Sequence, residues 1–324
     1  MDCAASPIRA FASIPHPLVD KEFRLACARN EIQKGPSMKL TTAAQTVPHA
    51  KYADSRRVGP AGTGRPPTPS VQRPNPLIVL VLGSGADAVR ARAWERAPFT
   101  AMVAINNAWQ IRDDWDYLIH PEDFPPERWP PSVDPRRQTL VTAADYVPIQ
   151  NEFGGFVYAG GTMAFTAGYW ALGALKPDVM AFLGCDMVYH DGPQTHFYGR
   201  GAQDPLRDDV TLQSLEAKSL RFMAMANQEN CLVVNLSAQA SSRLVYPRCD
   251  PQQLARWTAQ DLHTQLREQH GALDAQALDA ALGMESELGY MVKSGRYWEV
   301  RESLDADKLR QLDQVWLAVG QAPM

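Results

Sequence analysis

The 324 residues, 45% hydrophobic and 21% charged, suffice to bury one large α/β core or two smaller ones without covalent staples. No apolar run approaches the roughly eighteen residues of a membrane span, so no transmembrane segment is expected. The net charge of −4 is unevenly placed: residues 1–75 hold eleven Lys and Arg against five Asp and Glu, hence +6, which leaves −10 for the body and argues against nucleic-acid binding.

In chain order, residues 1–75 show no sustained periodicity. The stretch RRVGPAGTGRPPTPSVQRPNP is rich in Pro, Gly and Arg and buries too little apolar area to offset ordering, which predicts a disordered, basic tail. Pro15, Pro17 and the charges interrupt any secretory h-region, leaving an organellar presequence as the alternative, and Met38 is an alternative start. Order is expected from Pro76. The run Leu77 to Leu82 reads as a strand buried on both faces, turned by Gly83-Ser84-Gly85 into a helix. FTAMVAINNAW is a second strand ending at Asn106-Asn107, DWDYLIHPED a third ending at His120, and TLVTAADYV a fourth. GGTMAFTAGYWALGAL is apolar nearly all round and predicts a buried helix starting at Gly160, Gly161 and Thr162.

PDVMAFLGCDM then gives a strand, DVTLQSLEAKSLRFMAMANQEN an amphipathic helix, and CLVVNLSAQA a strand ending at Asn235 and Ser237. Alternating strands and helices predict a doubly wound, mostly parallel, Rossmann-like α/β domain over residues 76–249. Three helical stretches follow, predicting a helical extension over residues 250–324, with Trp298 and Trp316 as contact residues if exposed.

Open parallel sheets bind ligands outside the carboxyl ends of their strands, where the polar residues here collect. Gly83, Ser84 and Gly85 form either a plain turn or a phosphate contact through backbone N–H groups; the third glycine of a dinucleotide fingerprint and the lysine of a P-loop are missing. Asn106 and Asn107 either cap the next helix or recognise a base or ribose. His120 is a turn residue or a ligand contact. Gly160, Gly161 and Thr162 allow close helix packing or seat an anion on free N–H groups. Asp186 caps its loop or binds a hydroxyl or metal.

The loop YHDGPQTHFYG adds Tyr189, His190, His196 and Tyr198, groups suited to proton transfer and to hydrogen-bonding a departing phosphate. A zinc site from Asp186, His190 and His196 lacks ordered ligand spacing. RGAQDPLRDD, with Arg200, Asp204, Arg207, Asp208 and Asp209, reads as a solvated charge run. Five cysteines, Cys3, Cys27, Cys185, Cys231 and Cys249, form no CxxC pair, which points to a reducing cytoplasm and away from a cysteine-built zinc site.

The order of these motifs from Pro76 to about Ser242 resembles that of sialyltransferases. GSG and INNAW stand where that class has a Gly-Asn/Ser-Gly turn and an Asn-Gln pair. AGGTMAFTAGYWALGALKPDVMAFLGCD is similar to its Ser/Thr-Gly helix start followed by a strand ending in Gly-x-Asp, and THFYG to its short His-aromatic motif.

The resemblance implies a CMP-sugar donor held without a metal and a glycan or lipid-glycan acceptor. It implies His196 as general base, Tyr189 or Tyr198 as phosphate partners, and Gly83 to Gly85, Asn106, Asn107 and Gly160 to Thr162 as donor contacts. The further His-Glu of the vertebrate-type enzymes is absent, since no His lies between His196 and His263, as are the paired cysteines of the secretory enzymes. A related group on the same scaffold, the hydroxymethylpterin pyrophosphokinases with the flagellin-glycosylation-factor domain, implies Mg-ATP instead, for which Asp186 and the downstream acids are better suited. The expectation is a cytoplasmic, sialyltransferase-like glycosyltransferase, with homo-oligomeric association left open; the rivals are the Mg-ATP pyrophosphokinase and a non-catalytic binding module.

Overall fold

The structure, a computed structural model, describes residues 75–189 and 194–321. The expectation for the N-terminal tail and the role considered for His190 lie outside the described residues. Six strands, β1 (Ile78–Leu82), β2 (Ala101–Ile105), β3 (Tyr117–Ile119), β4 (Thr139–Val141), β5 (Val179–Leu183) and β6 (Leu232–Asn235), form one sheet. Every neighbouring pair is parallel and the order is β4-β3-β2-β1-β5-β6. The doubly wound α/β architecture expected from the alternation of apolar runs is the one observed.

β1 explains why its run is unbroken. Val79 and Val81 enter one apolar layer and Ile78, Leu80 and Leu82 the other, because successive side chains of a strand point to opposite faces. The first layer is covered by α1 (Ala143–Glu152), α2 (Phe156–Ala159), α3 (Met163–Leu175) and α4 (Leu215–Gln228), together with α7 (Ala275–Leu288) and α8 (Ala306–Val319). The second is covered by the segment after β1, by α5 (Pro251–Leu254) and by α6 (Ala259–Gly271). Gln269 of α6 hydrogen-bonds both Val233 N (3.1 Å) and Val233 O (2.7 Å), satisfying the outer edge of β6.

The helices beyond Asp250 share the core of the sheet. Trp316 and Leu312 are fully buried, so Trp316 offers no contact surface, whereas Trp298 is exposed. Two buried ion pairs tie these helices to α4: Lys218 with Asp313 at 2.7 Å, and Arg221 with Glu285 at 2.7 Å.

Two local features differ in detail from the sequence reading. Ala86–Ala93, read only as a helix after the glycine turn, is a 3-10 helix; its buried residues Ala88 and Ala91 are three apart, the spacing of a three-residue turn. The fourth strand stops at Val141, because Thr142 and Asp145 form a capping box that starts α1, with Asp145 Oδ2 accepting from Thr142 N at 2.8 Å. Among the described residues no helix is long and apolar enough to cross a membrane.

Candidate functional site

Chain connections run from β1 toward β4 on one side and to β5 and β6 on the other, so the strand order reverses between β1 and β5. Such a reversal opens a crevice at the carboxyl ends of the two strands. Here it belongs to a cavity of about 730 Å³. Its wall includes Gly83, Ser84, Gly85, Asn106, Gly161, Thr162, Asp186, Tyr189 and His196, nine of the residues singled out in the sequence. Asn107, His120, Gly160, Tyr198, Asn235 and Ser237 are not on it.

The glycine turn sits there for a steric reason. A Cβ on Gly83 would stand 2.3 Å from the Gly184 carbonyl oxygen, so β1 and β5 turn over each other backbone to backbone. Gly83 N–H donates to Leu183 O and Gly85 N–H to Gly184 O, each at 2.8 Å. Those two N–H groups are therefore engaged within the protein.

The loop after β5 folds back onto this turn. His196 pairs with Gly85 in an antiparallel bridge, and Phe197 N–H donates to Ser84 O at 3.1 Å. His196 is buried, its ring lying 5.6 Å from Tyr189 and 5.0 Å from the exposed Tyr198, against which it stacks. Its Nδ1 lies 2.9 Å from Thr195 Oγ1, which also accepts from Gly201 N–H at 3.0 Å and can donate to Gly201 O at 3.3 Å. When the hydroxyl donates to Gly201 O, Nδ1 carries the imidazole proton and Nε2 keeps its lone pair, the tautomer a base requires. Burial pulls the imidazole pKa below the ordinary value, against the opposing charge of Asp204. Burial likewise pushes the Tyr189 phenol upward, with Cys185 and Asp204 adding to it, so the phenol stays a hydrogen-bond donor.

Asp186 is held from behind. Ser237 Oγ donates to Asp186 Oδ2 at 2.6 Å, and Asn235 Nδ2 points to Oδ1 at 3.4 Å while Asn235 Oδ1 accepts from Ser237 N–H at 2.9 Å. Asn235 and Ser237 thus bear on the cavity through the Asp186 carboxylate. Asn106 sits at φ 53°, its Oδ1 buried without a partner, while the Asn107 side chain is buried in the short 3-10 turn that follows β2. His120 is packed between Phe124 and Trp129, with Nδ1 donating to Pro121 O at 2.9 Å.

At the start of α3, Gly160 adopts φ 85° and Thr162 Oγ1 caps the helix by accepting from Phe165 N–H at 3.3 Å. Gly161 N–H is taken by Thr211 Oγ1 at 3.1 Å. Met163 and Ala164, also on the wall, carry first-turn N–H groups that precede the first intrahelical bond.

The sequence reading did not anticipate a cluster beside this helix start. Arg207 donates to Gly161 O (2.7 Å), to the Tyr297 hydroxyl (2.9 Å) and to Asp209 Oδ2 (2.8 Å), and Tyr297 donates to the same Asp209 oxygen at 2.7 Å. Burial works against the charge of Asp209, but bonds from Tyr297 and Thr211 and the Arg207 charge hold its carboxyl below the usual range. Arg207 and Asp209, expected in a solvated charge run, are thus a structured joint. Tyr297 is distant in sequence from both, and no local spacing marks the three as neighbours.

Residues 294–298 close the cavity beside it, and Arg296 reaches Glu122 at 3.2 Å. Among the described residues, five carboxylates, Asp87, Glu122, Asp123, Asp186 and Asp204, wall the cavity with two arginines, Arg207 and Arg296. Among the described residues no three His, Cys, Asp or Glu side chains converge as metal ligands. Comparison of the chain with protein families, with curated proteins and with solved structures finds no match to any of them.

Proposed function

We propose that the chain is a glycosyltransferase that takes a CMP-activated sugar in the crevice between β1 and β5 and uses His196 as its general base. The observation that carries this reading is the placement of a buried imidazole, lowered in pKa, on the β1 turn inside a cavity large enough for a nucleotide sugar. In the step proposed, His196 Nε2 takes the acceptor hydroxyl proton as that oxygen bonds to the anomeric carbon of the donor. The bond from that carbon to the phosphate oxygen breaks, and its electron pair leaves with the nucleotide. Tyr189, a protonated phenol beside His196, supplies a hydrogen bond to the departing phosphate.

A second reading, an Mg-ATP-dependent pyrophosphokinase, is favoured by one feature: carboxylates outnumber arginines on the cavity wall, which suits a cation-bound phosphate better than a bare one. Melting of the protein against CMP, CMP-sialic acid, UDP-sugars, and ATP with and without Mg²⁺ separates the two. A ligand at a hundredfold its Kd adds about 2.7 kcal/mol of stability and raises Tm accordingly. A shift with CMP or its sugar without metal, and turnover lowered about 10²–10⁴-fold by His196→Ala, is expected. A shift confined to Mg-ATP transfers the assignment to the kinase, and no shift with any nucleotide counts against both and favours a binding module.

A further inference from the structure

We infer that residues 294–298 form the acceptor subsite, with the Trp298 indole as the platform for a pyranose ring; this rests on the glycosyl-transfer reading. These five consecutive residues wall the same cavity as His196 and Asp186. Trp298 is 54% exposed, more than any other large hydrophobic residue among those described. Its seat is nevertheless firm. The indole lies edge-on to Tyr297 with ring centroids 5.5 Å apart, and Tyr297 is itself buried, bound by Asp209 and Arg207, and pressed so closely on Gly161 that a Cβ there would come within 2.0 Å of the phenol oxygen.

The surroundings fit one chemistry. A pyranose presents a face of C–H bonds and a rim of hydroxyls, so it needs a flat apolar surface edged by charged hydrogen-bonding groups. Trp298 provides the surface. Arg296 and Glu122 provide the edge, paired at 3.2 Å with side chains 50% and 55% exposed. An ion pair this open contributes little to stability, so sugar hydroxyls exchange into it at small cost.

The test uses the full chain and a panel of methyl glycosides of glucose, galactose, mannose and N-acetylglucosamine, followed by saturation-transfer NMR with and without CMP. Wild type should show contact to ring C–H protons of at least one glycoside; Trp298→Ala should weaken it about tenfold or more, and Trp298→Phe less. Tm of each variant verifies folding. Equal binding by wild type and Trp298→Ala overturns the subsite, as does absence of binding by every glycoside while CMP still shifts the wild-type Tm. Loss of the CMP response in wild type is the separate failure of the glycosyl-transfer reading. An apolar protein partner seated on Trp298 corresponds to the outcome with no glycoside bound.

Discussion

Removing the Glu285 carboxylate should detach the C-terminal helices from the sheet. Arg221, whose side chain is 2% exposed, donates Nε and a terminal nitrogen to Glu285 at 2.7 and 2.8 Å; it also reaches the Tyr169 hydroxyl at 2.7 Å and Phe153 O at 2.6 Å. Burial opposes its charge, but Glu285 and Tyr169 more than offset this, so the guanidinium stays protonated. Glu285 accepts in addition from the buried Trp316 Nε1 at 2.8 Å. In Glu285→Ala the arginine becomes a buried charge without its counter-ion, which costs about 3–5 kcal/mol. The orphaned indole N–H adds about 1–3 kcal/mol, not fully additively because the two share one carboxylate.

The expected loss of about 4–6 kcal/mol is comparable with the whole stability of many domains, commonly about 5–15 kcal/mol. Glu285→Gln keeps an acceptor and should lose about 2–3 kcal/mol, while Arg221→Met with Glu285→Leu should recover much of the deficit by removing both charges. Urea unfolding followed by tryptophan fluorescence and circular dichroism measures each. A Glu285→Ala protein within about 1 kcal/mol of wild type would refute the reasoning, because α7 and α8 would then dock without this pair.

His196 makes a pH prediction whose sign follows from its lowered pKa. Between the folded value and the ordinary unfolded one the unfolded chain binds more protons, so its contribution to stability is complete above the unfolded pKa and is lost as pH falls through the folded one. Tm measured from about pH 5 to 8 should therefore fall less on acidification in His196→Gln than in wild type, and identical slopes would remove the buried neutral imidazole from the account. Activity under the proposed mechanism should rise with pH to a plateau whose midpoint lies below the ordinary imidazole value. Gly161→Ala should drive Tyr297 off Asp209 and Arg207, since the new methyl would overlap the phenol, at a cost of about 1–3 kcal/mol. Tyr297→Phe should reproduce part of that loss in the same melting assay, and an unchanged Tm in Gly161→Ala would show that the C-terminal segment yields freely.

Much of the architecture was legible because it depends on local chemistry. The run Leu77 to Leu82 reads as a strand covered on both sides because it is short, unbroken and apolar, and the stretch after Thr162 as a buried helix because it is long, apolar nearly all round and free of Pro. Gly83 and Gly85 were correctly placed at the strand end, yet their reason was invisible: the Gly184 carbonyl that forbids a side chain lies a hundred residues away in sequence. The capping box at Thr142 was present in the letters, but an apolar-flanked short strand masked it.

The site divides along the same line. That polar residues gather at strand ends follows from the sequence alone, because the order of strands and helices dictates a parallel sheet and a parallel sheet opens its crevice at one end. Which of them share a cavity depended on the strand order, which sets β1 beside β5 and leaves His120 among aromatics. Arg207, Asp209 and Tyr297 meet through packing of the C-terminal chain across the mouth of the sheet, and contacts between segments ninety residues apart have no periodic signature. Residue type and spacing therefore determined the elements and their polar ends, while tertiary packing alone decided which ends form the wall of one cavity.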